Sequence, residues 1–199
     1  YEISLGLVGS EMCIRDRIIS RLRLDGRLSL TNLSKHVGYS SMGVKKRLDK
    51  LVKGNLLKVS GELNVEKLGL YTAIVFLEMD SSESMSKLLE RFKDCPRVVY
   101  IFTTIGGYNL IAIIVAEDQS TLESISMERC SLRSAEGVRR SEFYPIGKIY
   151  YEPFLPVRQE LTHRNLPLPP CGVDCRPCDS FRSNRCVGCP SIVHYRGKL

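Results

Sequence analysis

Gly38-Tyr39-Ser40-Ser41-Met42-Gly43-Val44-Lys45-Lys46-Arg47-Leu48-Asp49-Lys50-Leu51-Val52-Lys53-Gly54 decides how the first part of this chain is read. Ser40 is a strong N-cap residue, because its hydroxyl accepts from a free amide of a first helical turn. Val44, Leu48, Leu51 and Val52 recur at i, i+4, i+7 and i+8, the spacing of one helix face, and Gly54 closes the run. Just upstream, Ser29 caps a shorter helix over Leu30–Val37 that Gly38 ends. Two helices joined by Gly38-Tyr39-Ser40 predict a helix-turn-helix. Ile18, Ile19 and Leu22 supply the core face of an earlier helix that stops at Asp25-Gly26. Leu56–Ser60, Gly61 and Glu62–Val65 read as a small β-hairpin, the wing.

Charge singles out the same region. Residues 21–60 carry ten Lys and Arg against two Asp and Glu, whereas residues 71–151 carry nine against eleven. One small segment is built for a polyanion and the middle of the chain is not. Lys45, Lys46, Lys50 and Lys53 lie off the apolar stripe of the third helix, and the helix N-terminus at Ser40 can receive a phosphate.

From Tyr71 the period changes. Tyr71–Met79, Val98–Thr104, Leu110–Ala116 and Val138–Tyr150 read as strands, and Ser82–Phe92 and Gln119–Cys130 as helices. The order β-α-β-β-α-β predicts a ferredoxin-like split motif. Strand edges and the alternating Ile101, Ile111, Ile113 and Val115 offer apolar surface for a homodimer. Glu152–Pro170 carries five prolines and reads as a stiff linker. The longest apolar run, Leu110–Ala116, is far short of the roughly 20 residues of a membrane helix, so no membrane partner is expected.

A winged helix-turn-helix followed by such a domain resembles the Lrp/AsnC family of leucine-responsive regulators, over residues 18–151. The most specific pieces are Asp25-Gly26-Arg27-Leu28-Ser29, then Val44-Lys45-Lys46-Arg47-Leu48 with Leu51 and Gly54, and Thr104-Ile105-Gly106-Gly107-Tyr108-Asn109. The resemblance implies a transcriptional regulator that binds double-stranded DNA. Its second domain, of the RAM or ACT-like type, would assemble dimers or higher even-numbered oligomers and often senses amino acids. By family position, Ser41, Met42, Lys45 and Lys46 read bases, Arg47 lies on the backbone side, and Ser29 and Thr31 hold phosphates from the preceding helix. Ser41 and Gly43 depart from the family's frequent Pro and Thr or Ala, and Gly43 weakens the helix by roughly 1 kcal/mol relative to Ala. Thr104, Gly106, Gly107, Tyr108 and Asn109 stand at the family's effector turn, with Asn109 in place of a frequent Asp. The same residues suit a bare hairpin turn, so effector site and turn both stand.

Five of the eight cysteines, Cys171, Cys175, Cys178, Cys186 and Cys189, crowd into nineteen residues. Such clustering points to metal ligation in a reducing compartment, hence the cytoplasm, rather than to a secreted disulfide scaffold. Cys175 with Cys178 and Cys186 with Cys189 form CxxC pairs that complete a four-sulfur zinc site, with Cys171 and His194 in reserve. An iron–sulfur cluster and an unmetallated, redox-labile tail are the alternatives. The tail resembles an extension on some archaeal family members, and a metal or redox sensor whose middle domain only dimerises is the alternative function. No Ser/His/Asp triad or phosphate-binding Gly loop appears and the chain has three histidines, so no enzyme is expected.

Tyr1–Arg17 resembles translated sequencing-library adapter, because Leu7–Asp16 back-translates to a string similar to a transposon-end adapter. The expected organisation is therefore 1–17 outside the fold and 18–65 a winged helix-turn-helix. A βαββαβ domain follows at 66–151, a linker at 152–170 and a Cys-rich metal knuckle at 171–199. The fold class is α+β.

Overall fold

The computed structural model of the chain describes residues 14–199. They divide into two units, one ending at Gly61 and one running from Glu62 to Leu199.

In the first unit, Ile18, Leu33, Val37, Val44 and Leu51 meet in one buried cluster. They come from α1 (Ile14–Leu24), α2 (Leu30–Val37) and α3 (Ser41–Lys53). The caps are those expected: Ser29 Oγ accepts from the Asn32 amide and Ser40 Oγ from the Gly43 amide, each at 3.2 Å. Gly38 ends α2 at φ 75°, a left-handed conformation that favours glycine. Two readings are corrected. Residues 14–17, assigned to adapter, form the first turn of α1, and Ile14 packs on this core; the rest of that reading, residues 1–13, lies outside the described residues. The wing hairpin is not formed, since residues 57–62 have no regular structure. Leu63–Asn64 (β1) pairs instead with Phe154–Leu155 (β6) in the second unit, where Leu63 and Leu155 bury against Val65, Val99 and Val157.

The second unit is built on β2 (Tyr71–Met79), β3 (Val98–Thr103), β4 (Leu110–Ala116) and β5 (Val138–Pro145), all antiparallel in the order β3-β4-β2-β5. With α4 (Ser82–Phe92) and α5 (Gln119–Met127) this is the expected ferredoxin-like arrangement. Alternation along β2 sends Ala73, Val75, Leu77 and Met79 into a core with Leu88, Phe92, Ala112 and Leu122. The opposite face keeps Phe76, Tyr100, Phe102, Ile111 and Tyr144 at least partly accessible. Of the residues expected to offer dimer surface, Ile111 and Ile113 lie on that face. Ile101 packs on the helix-side core, and Val115 is buried under Val65, Val157 and Leu199.

The tail differs most from its reading. Between the prolines, Val157 and Leu161 are buried, Leu166 bridges Ile192, and the His163 amide bonds the Pro190 carbonyl at 2.8 Å. The segment read as linker is thus a strap that finds apolar cover on its own unit. Beyond it, Cys186 enters the main core, and Tyr195 and Leu199 enter the smaller cluster with Val99 and Val115. The tail, with α6 (Asp179–Arg182) as its one helical turn, is one body with the sheet domain rather than an insulated knuckle.

Candidate functional site

The exposed face of α3 is set by its apolar stripe. Val44 and Leu51 turn inward, which leaves Ser41, Met42, Lys45, Lys46, Lys50 and Lys53 outward; Met42 is 74% exposed. Among the described residues, no carboxylate pairs with any of these four lysines. The helix start is braced: the Ser34 and Ser41 hydroxyls hydrogen bond at 3.2 Å, and Ser40 caps the first turn. Ser29 and Thr31 are exposed, Ser29 being held by its own capping bond. Arg47 differs from the lysines. It is half-buried, donates to the Gly43 carbonyl at 3.2 Å and stacks over the Tyr39 ring at 5.1 Å. A Cβ at Gly43 would sit 3.2 Å from Ser40 Oγ and 3.6 Å from the Arg47 guanidinium, so the glycine allows both close approaches.

The turn between β3 and β4 brings the second group of residues together. Thr104 Oγ1 donates to the Tyr108 carbonyl at 2.5 Å, and the Thr104 amide donates to the Asn109 carbonyl at 3.0 Å. Gly106 and Gly107 do not take positive φ, and a Cβ at either would face open space. Asn109 spends its carboxamide on the backbone, accepting from the Met79 amide at 2.8 Å and donating to the Met79 carbonyl at 2.9 Å. An Asp could not make the second bond, which is a structural reason for Asn here. The Tyr108 hydroxyl donates to Glu142, which also accepts from Tyr144 and Arg140. These bonds, Tyr108 first, hold the Glu142 carboxyl below its ordinary range. The sequence reading missed this network; its signal is the Arg140-Glu142-Tyr144 alternation, which puts all three on one face of β5.

The profile of the winged helix-turn-helix DNA-binding family matches residues 14–58, and that of the Lrp/AsnC ligand binding domain matches residues 72–153. The HTH-type transcriptional regulator LrpA of Pyrococcus horikoshii is 30% identical over 114 residues, spanning 56% of this chain and 80% of that protein. This chain belongs to the Lrp/AsnC family. The proline dehydrogenase transcriptional activator of Rhizobium radiobacter is 38% identical over 84 residues, although the match spans 53% of that protein. AsnC of E. coli superposes with a TM-score of 0.62 at 13% identity, covering 72% of this chain and 97% of AsnC. A Neisseria meningitidis regulator solved as an L-Met complex gives 0.64 at 18%, covering 72% and 94%. Family membership accounts for the helix-turn-helix and for the sheet domain. No helix of the described residues is long and apolar enough to cross a membrane.

The family profile ends at residue 153, so the five clustered cysteines lie beyond it. Cys171, Cys175, Cys186 and Cys189 line one cavity of about 70 Å³. Cys95, just before β3, and Cys130, just after α5, line it from the domain side; the sequence reading set both aside because chain spacing does not link them to the tail. Cys178 does not line that cavity; it lines the adjoining one of about 370 Å³, with Cys130, Cys175 and Cys186. Among the described residues, no three His, Cys, Asp or Glu side chains close on one point as ligands of a single ion. His194 lines a separate cleft with Arg176, Arg182 and Arg196, away from the sulfurs. Burial pushes the Cys95 thiol up to about 11 and the Cys175 thiol up to about 12, and raises Cys130, Cys186 and Cys189 as well. A backbone amide opposes this at Cys186, where Gly188 N–H donates to Sγ at 3.4 Å.

Proposed function

We propose that this chain is a sequence-specific transcriptional regulator that binds double-stranded DNA through α3, dimerises through its sheet domain and responds to an amino acid. The observation that carries the reading is the outward row of unpaired lysines on a helix whose start is capped and whose inner face is fixed. Its lysines can exchange counterions for phosphates, while Ser41, Met42, Lys45 and Lys46 stand at the helix start where base edges are read. Ser29, Thr31 and Ser40 suit phosphate contacts from the turn side. Arg47 supports the helix start rather than reaching outward, since its guanidinium is engaged with Gly43 and Tyr39.

The open sheet face supports dimerisation. Phe76, Tyr100, Phe102, Ile111 and Tyr144 make an aromatic-rich surface that a second copy of the same face would cover. For the effector, the open space at Gly106 and Gly107 leaves room for a small ligand beside Thr104, Tyr108 and Asn109. One solved relative is a complex with L-Met, which makes free amino acids the first probes.

The test is capture of a random duplex library by the full chain, followed by sequencing. The expected product is a twofold-symmetric site with half-sites about one helical turn apart. Capture without enrichment of any sequence overturns the specific reading. A melting series with free amino acids, L-methionine and L-proline included, is expected to raise Tm for at least one. No shift with any of them removes the effector from the proposal and leaves the turn structural.

A further inference from the structure

We propose that the sulfur-lined cavity binds an iron–sulfur cluster, with Cys171, Cys175, Cys186 and Cys189 as its thiolate ligands. The inference does not depend on the DNA-binding reading and stands or falls separately from it.

The donor set is the first argument. The cavity offers sulfur and no imidazole, because His194 lines another cleft. The nearby carboxylate, Glu117, is already engaged by Arg97 and Tyr195. An all-sulfur set selects thiophilic centres: zinc, cuprous copper or iron–sulfur. Geometry then separates one ion from a cluster. Zinc–sulfur bonds near 2.3 Å would draw four sulfurs to within about 3.8 Å of one another. Among the described residues no such convergence exists; the four cysteines line, together with apolar residues, a cavity of about 70 Å³. That arrangement leaves space between the ligands for an inorganic core.

The cavity is also prepared for charged sulfur. Gly188, held at φ 88°, turns its amide onto Cys186 Sγ at 3.4 Å. Such an N–H···S bond stabilises a cluster thiolate, and Arg97 brings a guanidinium to the same wall. Val75, Val98, Ile114 and Phe143 close the opposite side with apolar surface. Ligation forms one iron–sulfur bond per cysteine, and each thiol gives up its proton to solvent as its bond forms.

Among the tail cysteines, Cys171 lines this cavity and Cys178 does not, whereas chain spacing paired Cys178 with Cys175; this difference makes the test sharp. The full chain is expressed in iron-replete cells and purified without oxygen. Iron, zinc and acid-labile sulfide are then measured beside the visible spectrum. Expected are iron and sulfide in equal amounts with a broad visible absorption. Removing a ligand should reduce both by at least the roughly 10- to 100-fold that loss of an outer-shell partner causes. Cys171→Ser and Cys189→Ser should show that loss, while Cys178→Ser keeps its iron. Circular dichroism of each variant guards against simple unfolding. As a measurement that needs no variant, a chelator should bleach the native protein with loss of iron while its helical signal persists. Stoichiometric zinc without sulfide overturns the cluster, and colourless, metal-free protein overturns the site. Iron kept by Cys171→Ser but lost by Cys178→Ser overturns the ligand set.

Discussion

Replacing Gly188 by Ala tests whether the tail is built into the sheet domain. Gly188 sits at φ 88°, where an L side chain is strained by roughly 1–2 kcal/mol. An added Cβ would stand 2.8 Å from Phe181 Cε2 and 3.2 Å from Cδ2, and Phe181 is buried. Relief requires moving a packed ring, an overpacking cost of about 1–3 kcal/mol. The sum is roughly 2–5 kcal/mol, and at about 4 °C per kcal/mol for a unit of this size Tm should fall by about 8–20 °C. The Gly188 carbonyl accepts from the buried Arg97 guanidinium at 2.7 Å, so the strain reaches the start of β3. Calorimetry of the metal-free full chain should therefore show the sheet domain's own transition moving. Gly172→Ala is the control: it carries φ 76° but meets no atom within 4 Å, so it should show only the smaller conformational part. Adding Phe181→Leu to Gly188→Ala should recover part of the steric cost, a coupling that a double-mutant cycle reads directly. If Gly188→Ala leaves the sheet-domain transition in place, the tail is an appendage and the packing argument is wrong.

Three further outcomes follow from the same geometry. Lys50→Ala should lower the slope of log affinity against log salt by about 0.9 without altering the selected DNA sequence, whereas Lys45→Ala or Met42→Ala should alter the sequence; binding titrations from low to moderate salt separate the two. Asn109→Asp should destabilise the second unit by about 1–3 kcal/mol in urea melts, because the Met79 carbonyl loses its donor and faces a carboxylate; an unchanged midpoint would show that the carboxamide bonds do not matter. A chain begun at Ile18 should melt below one begun at Ile14, since it lacks the first turn of α1 and the Ile14 contact; equal melting would return residues 14–17 to the artefact reading.

Much of the fold could be read from the chain because it is encoded locally. Ser29, Ser40 and Gly38 act within their own turns, and the alternation of Tyr71–Met79 is a property of one strand. The candidate DNA face followed for the same reason, since a helix wheel separates Val44 and Leu51 from the lysines. What escaped was set by distant partners. Leu63 pairs with Leu155 rather than closing a wing, because its apolar side chain finds deeper burial there. Proline content suggested a stiff spacer, but Val157 and Leu161 between those prolines had core to enter. Spacing grouped Cys175 with Cys178, and only the three-dimensional path of the tail turns Cys178 aside and brings Cys95 and Cys130 to the same wall.

The Arg97–Glu117 pair explains why tail and domain cannot be considered apart. Both side chains are buried, and a buried ion pair is tolerable only if its remaining donors and acceptors are also satisfied. Arg97 Nη2 bonds Glu117 Oε1 at 3.0 Å and the Gly188 carbonyl at 2.7 Å, while Nη1 reaches Glu117 Oε2 and the Val115 carbonyl. Glu117 Oε1 accepts in addition from the Tyr195 hydroxyl, whose phenol is raised by burial and by that bond. Burial works against the Arg97 charge, but Glu117 outweighs it and holds the guanidinium protonated. Two of the groups that complete this network, Gly188 and Tyr195, belong to the tail. With the tail removed, Arg97 would lose a carbonyl and Glu117 a hydroxyl at the same end of the sheet where Leu199 covers Val99 and Val115. The charges at the ends of β3 and β4 and the Cys-rich segment therefore form one structural unit, which ties any centre held by the cysteines to the sheet that carries the Thr104–Asn109 turn.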